Sequence, residues 1–231
     1  MQQGAISNQD KAQLKRTFRK DLKAAVNLQL FTQRPSPISV PGRDCKYCPQ
    51  TQQMMEELAA LSPKIGLETV DLYAQPDVAR NKGITRIPAI VLGEGTSDRL
   101  RFFGIPLGYQ LAAMVETIKT ISKGTSPLSM ATRKQLRTIN HPVHLQVFVT
   151  PNSVESTPMA RLAHALALEN NNITADVIEA EEFPALAQSY GVRSVPYTVI
   201  NEYIRVPGIV AEDQMLEKVL EAGVRQGQEP S

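Results

Sequence analysis

The sequence predicts an α/β protein made of two tandem copies of one unit, each a mixed central sheet with helices on both faces. Three observations predict it. The 231 residues are 42% hydrophobic and 21% charged, a balance that supplies a core and argues against disorder, a collagen-like fibre or a disulfide scaffold. Short apolar, β-branched runs alternate with stretches of helical spacing. The chain also repeats itself. Val26-Asn-Leu-Gln-Leu-Phe31 is answered by Val143-His-Leu-Gln-Val-Phe148 at an offset of 117, and Gly83-Ile-Thr-Arg-Ile-Pro-Ala-Ile-Val-Leu92 by Gly191-Val-Arg-Ser-Val-Pro-Tyr-Thr-Val-Ile200 at an offset of 108. A third pair, Phe103-Gly-Ile and Val206-Pro-Gly-Ile, keeps the order. Each copy is a domain's worth of chain, so the expected division is 1–124 and 125–231, with the boundary near Lys123-Gly-Thr-Ser126.

Each copy is expected to open with a helix: Lys11 to Leu22 in the first, capped by Ser7 or Asn8, and Met130 to Ile139 in the second, opened by Pro127 at its first helical position. The runs from Val26 to Phe31 and from Val143 to Val149 read as buried strands. Helices follow from Cys48 to Leu61, with Met54 and Met55 as core or gap-filling residues, and from Met159 to Leu168. A second strand (Leu67 to Leu72; Thr174 to Ile178) and a short helix (Asp77 to Lys82; Phe183 to Tyr190) come next. Two strands then begin at Pro88 and Pro196, and helices from Gln110 to Ile121 and from Glu212 to Val224 close the copies. This order implies a parallel strand pair joined by a right-handed crossover. Residues 227–231 read as a frayed tail.

Charge and hydropathy narrow the function. The formal net charge is +2 and the basic residues are scattered, which argues against nucleic acid. No run approaches the ~18 apolar residues of a membrane span, and the first 25 residues lack the apolar core of a secretory signal, so a cytoplasmic protein with no membrane partner is expected.

The chain has two cysteines, Cys45 and Cys48, and in a reducing compartment such a pair points to exchange chemistry or metal binding. With a helix beginning around Cys45, its sulfur sits at the helix N-terminus and Cys48 lies one turn inside. Free amides and the macrodipole favour a thiolate on Cys45, where such thiols titrate at roughly 3.5 to 7.5 against about 8.5. Lys46, Arg43 and Arg86 push the same way and Asp44 opposes. A thiolate opens a disulfide through a mixed disulfide, which a second thiol one turn away resolves. A closed zinc site wants four ligands, and His141, His144 and His164 all lie in the other copy without ligand spacing, so no metal is assigned. Pro88 and Pro196 each start a strand, where a cis peptide fits once the redox context is granted.

Cys45-Lys-Tyr-Cys48-Pro49 on a strand-to-helix turn, Ile87-Pro88 about forty residues on, and the second copy together resemble the glutaredoxin-like protein disulfide oxidoreductases, chains of two thioredoxin folds. Arg101 to Gly108, Leu162 to Asn170 and Val177 to Pro184 are similar to that family's inter-motif segments. The resemblance implies that Cys45 attacks, Cys48 resolves, Pro88 is a cis-proline facing the pair, and the Ile87 backbone pairs with an extended substrate, with Lys46 and Tyr47 beside it. It implies protein disulfides as substrates, a thioredoxin-reductase-like flavoenzyme as electron donor, a peroxiredoxin or client disulfide downstream, and no bound cofactor. The family's proton-transfer acid has no assignable counterpart in this sequence.

Two departures matter. The second copy reads Ser153-Val-Glu-Ser156 where the family has its second thiol pair, so this unit is expected to be redox-silent, either packing against the first or holding a partner beside Cys45. Thirteen residues, Thr32 through Asp44, separate Phe31 from Cys45, against four between Phe148 and Ser153; the nine extra include Pro35, Pro37 and Pro41, a loop that either gates the site or is a tolerated excursion. His164 reads as packed or partly exposed. Two competing functions stand beside disulfide exchange: a redox-sensing, chaperone-like binding module, and a dithiol that bridges an iron–sulfur cluster between chains.

Overall fold

The computed structural model describes residues 5–34, 44–93 and 98–225. The first copy runs α1 (Asn8–Asp21), β1 (Val26–Thr32), α2 (Cys48–Ala59), β2 (Ile65–Asp71), α3 (Pro76–Asn81), β3 (Ala89–Leu92), β4 (Leu100–Phe103) and α4 (Tyr109–Lys123). The second repeats it as α5 (Met130–Leu136), β5 (Val143–Val149), α6 (Ser156–Glu169), β6 (Ile173–Glu179), α7 (Pro184–Ser189), β7 (Tyr197–Ile200), β8 (Ile204–Pro207) and α8 (Glu212–Arg225). In each copy the first two strands pair in parallel and the last two add antiparallel, as the crossover reading requires.

The four strands of each copy join into one eight-stranded sheet in the order β2-β1-β3-β4-β6-β5-β7-β8. The seam is a parallel ladder between β4 and β6, running from Leu100 opposite Ala175 to Phe103 opposite Ile178. Arg101 and Asp176 face each other there, with Arg101 Nε 2.5 Å and Nη2 3.0 Å from the two carboxylate oxygens. His144 Nε2 lies 2.7 Å from the same carboxylate, and Arg101 Nη1 also donates to the Lys82 carbonyl at 3.0 Å. Burial works against the Asp176 charge, yet the hydrogen bonds and cations of His144 and Arg101 hold its pKa below the ordinary carboxylate value.

Alternation along the strands divides the core in two. Leu28, Leu30, Ile90, Phe102, Leu145 and Val147 face one way, under α1, α2 and α4 of the first copy and α5, α6 and α8 of the second. Phe31, Val91, Phe103, Phe148, Ile178 and Val199 face the other way, under the short helices α3 and α7. His164 is packed within the larger layer, its Nδ1 3.2 Å from Thr117 Oγ1 and its Nε2 3.2 Å from the Arg101 carbonyl, and burial pushes its pKa down to about 4, so it is neutral.

Two helix starts differ in detail from expectation. Ser7 is the cap of α1, its Oγ accepting the Asp10 amide at 3.1 Å. Pro127 does not open α5: Ser129 caps that helix through the Thr132 amide, and Glu212 Oε1 accepts both the Ser129 amide and the Thr132 hydroxyl. A side-chain cap satisfies an orphan amide that proline, lacking N–H, could only avoid.

Candidate active site

The carboxyl ends of β1, β2, β4, β5 and β6 lie along one margin of the sheet, and the chemistry-bearing residues of both copies collect there. Cys45 and Cys48 are joined as a disulfide, with Cα atoms 5.4 Å apart. Cys48 is the first residue of α2 and fully buried, and Cys45 precedes it outside the helix, half-buried. This corrects the expectation of a helix starting near Cys45 with Cys48 a full turn inside. The helix starts later because Pro49, without an amide hydrogen, sits in its first turn, and the Tyr47 carbonyl accepts the first intrahelical bond, from the Thr51 amide at 2.8 Å. Tyr47 packs against the larger core layer, and Lys46 Nζ stands 4.9 Å from its ring centroid. Arg43 and the prolines at 35, 37 and 41 lie outside the described residues.

The peptide bonds Ile87-Pro88 and Val195-Pro196 are both cis. Pro88 is buried and Ile87 half-buried, and neither the amide nor the carbonyl of Ile87 has a hydrogen-bond partner among the described residues. The Pro88 carbonyl accepts the Gly104 amide at 2.8 Å, which ties the β4–α4 turn to the proline. Arg86 sits over the Phe103 ring, 5.6 Å from its centroid.

Sequence reasoning missed a group that the second copy delivers to this turn. Glu182 Oε1 accepts the Ile105 amide at 2.5 Å, and a Cβ on Gly104, whose φ is +104°, would fall 2.7 Å from Glu179 Cβ and 2.9 Å from Glu182 Oε1. Burial, with the Glu179 charge adding to it, pushes the Glu182 pKa up to about 7 against the pull of the Ile105 amide. The run Glu179-Ala-Glu-Glu182 was the available signal, but only the β4–β6 pairing reveals what it faces.

The second copy shows the same frame with oxygen for sulfur. Ser156 is the first residue of α6 and fully buried, as Cys48 is in α2. Ser156 Oγ donates to Ser153 Oγ at 2.8 Å, and Ser153 Oγ accepts the Ser156 amide at 3.2 Å. An atom at position 153 therefore receives the first free amide of its helix, the arrangement that would favour a thiolate on a cysteine there. Among the described residues, no group of three or more His, Cys, Asp or Glu side chains is placed to hold a metal ion, and no helix is long and apolar enough to cross a membrane.

Comparison with known proteins places this geometry. The chain is 22% identical over 166 residues to the NADH dehydrogenase of Bacillus subtilis, covering 72% of this chain and 30% of that protein. It is 21% identical over 152 residues to the F component of the alkyl hydroperoxide reductase of Staphylococcus aureus, covering 66% and 27%. It thus spans less than a third of the length of these relatives. Among solved structures, a protein disulfide oxidoreductase from Aeropyrum pernix superposes with a TM-score of 0.85 at 26% identity, covering 97% of this chain and 96% of that one. The NTD_N/C domain of the alkylhydroperoxide reductase AhpF from Enterococcus faecalis shares the fold, with a TM-score of 0.80 at 22% identity over 93% and 99%. The family profile described as thioredoxin domain matches residues 37–116 and again 143–221, and with both halves of one continuous sheet so matched, the chain belongs to the thioredoxin-domain family.

Proposed function

We propose that this chain is a thiol–disulfide oxidoreductase that exchanges protein disulfides through Cys45 and Cys48. The observation that carries the reading is a two-residue-spaced cysteine pair, closed as a disulfide at the start of α2, in a chain that also keeps a cis-proline with a partnerless backbone segment before it. In the reduced enzyme the Cys45 thiolate attacks one sulfur of a substrate disulfide, and the other leaves as a thiolate that takes up a proton. Cys48, on losing its own proton, attacks Cys45 Sγ; the second substrate thiol departs and the Cys45–Cys48 bond closes. Two electrons have moved from the enzyme to the substrate. The Ser153–Ser156 amide geometry is the template for how Cys45 is held as a thiolate, and Ile87 offers an amide and a carbonyl to an extended substrate backbone, next to Lys46 and Tyr47.

The disulfide must then be reopened by a two-electron donor. The relatives named for NADH dehydrogenase and alkyl hydroperoxide reductase activity support a flavoenzyme of the thioredoxin-reductase kind on the donor side and a peroxiredoxin-type acceptor, in the cytoplasm. The division at 1–124 and 125–231 gives the first unit the exchange chemistry and leaves the second without any. Reduction of insulin by an added reductant tests the reading: Cys45→Ser should fall to background, and Cys48→Ser should accumulate substrate covalently attached to Cys45. Persistence of turnover in Cys45→Ser would falsify it. Intact partner binding with no turnover in the wild type would instead favour the redox-sensing module, and iron with acid-labile sulfide in anaerobically purified protein the cluster-bridging alternative.

A further inference from the structure

We infer that the thiol-free second unit carries its own groove for an extended polypeptide, and that it holds a stretch of the same protein whose disulfide reacts at Cys45. The inference rests on the exchange reading above and adds the way the substrate is held.

The groove is built from the same parts as the one in the first unit. Gly208 donates its amide to the Pro196 carbonyl at 2.9 Å, as Gly104 does to Pro88 at 2.8 Å. Neither the amide nor the carbonyl of Val195 has a partner among the described residues, and Val195 is half-buried. A donor and an acceptor left on one residue leading into a strand match the main chain of an extended segment, which is the chemistry of strand addition. A cavity of about 620 Å³ opens directly beside it, lined by Thr150, Pro184, Gln188, Arg193 and Val195 among others.

What differs is access. In the first unit Glu179 and Glu182 cover Gly104 and take the Ile105 amide, and Ile105 is 2% exposed. In the second unit a Cβ on Gly208 would meet nothing within 4 Å, and the equivalent Ile209 is 55% exposed. The unit that cannot exchange disulfides has the more open wall, with an apolar side chain standing in solvent next to unused backbone polar groups. The pair of serines satisfies itself and offers no covalent capture.

Orientation selects the occupant. β3 and β7, which begin at the two cis-prolines, lie four strand positions apart in one sheet and run the same way, so the two grooves open on one margin about 19 Å apart. That distance is about six residues of extended chain, within the span of a single client protein. Binding at the second groove would raise the effective concentration of the client's disulfide at the first.

The probe for the groove is reduced, S-carboxymethylated insulin B chain, which has no thiol or disulfide to react at Cys45. Titrated into the full-length chain, it should shift the amide resonances of Val195 and Ile209 more than those of Ile87 and Ile105. Ile209→Asp, at an exposed position that folding does not need, should lower the ratio of kcat/KM for insulin to kcat/KM for a small aromatic disulfide by about tenfold through KM for insulin. Shifts confined to Ile87 and Ile105, no shifts at all, or a ratio equal to that of the wild type would overturn the inference. Shifts at Val195 in a protein that turns over neither disulfide would leave the groove standing and remove the exchange reading.

Discussion

The two units share strand order, both cis-prolines and the placement of a buried residue at the start of the helix after the first strand, and they differ at two sulfur positions. Cys45 and Cys48 close a covalent bond where Ser153 and Ser156 make a hydrogen bond. The fold thus holds the pair in place independently of what the pair does. It presents a first-turn amide to position 153 as well, so the framework for a stabilised thiolate outlasts the thiol. Reactivity in this molecule is a property of two atoms, whereas their placement is a property of the sheet and the helix start.

Substitutions that exchange or erase this difference give the largest effects. Cys45→Ser should remove disulfide turnover entirely. Placing Ser153→Cys and Ser156→Cys in that inactive background should restore measurable insulin reduction; a closed but inert second pair would show that the second frame differs by more than sulfur. Next in size is the seam. Asp176→Ala leaves the Arg101 guanidinium buried without its anion and should cost about 3–5 kcal/mol in chemical denaturation. The glycine pair reads the covering of one unit by the other. Gly104→Ala, with φ at +104° and its Cβ forced against Glu179, should destabilise by about 2–3 kcal/mol, and Gly208→Ala, with open space, by about 1 kcal/mol.

The smallest effect concerns Glu182. Its folded pKa of about 7 lies above the ordinary 4.5, so between those values the native state keeps a proton that the unfolded chain has released. Its contribution therefore favours folding at acid pH and is lost as pH rises through about 4.5 to 7. Glu182→Gln keeps an oxygen for the Ile105 amide and should remove that slope, gaining about 1 kcal/mol at pH 8 once solvent screening is allowed for.

Much of this comparison was legible in the sequence. Local patterns carry short-range information, and the repeat, the cysteine spacing, the serines at 153 and 156 and both prolines are local. The offset between copies falls from 117 to 108 across the nine-residue excess before Cys45, which also fixes the strand equivalences. The helix start at Cys48 was misplaced because the proline at 49 constrains the first turn more than the cysteine spacing does. The β4–β6 seam joins strands that are not consecutive, and no periodicity announces such a pairing. Its nearest sign was a charge inside each of two apolar runs, Leu100-Arg-Phe-Phe103 and Ala175-Asp-Val-Ile178. Glu182 stayed hidden for the same reason, since its partner Ile105 lies 77 positions away.

The continuous sheet has a further consequence. A four-stranded unit standing alone would end in raw margins at β4 or β6, rows of unpaired main-chain groups that invite other chains to attach. Here those two margins satisfy each other, and only β2 and β8 remain as outer borders. A second half without any redox role still shields the first from stray self-association, which is reason enough for such a chain to keep it after its sulfurs are gone.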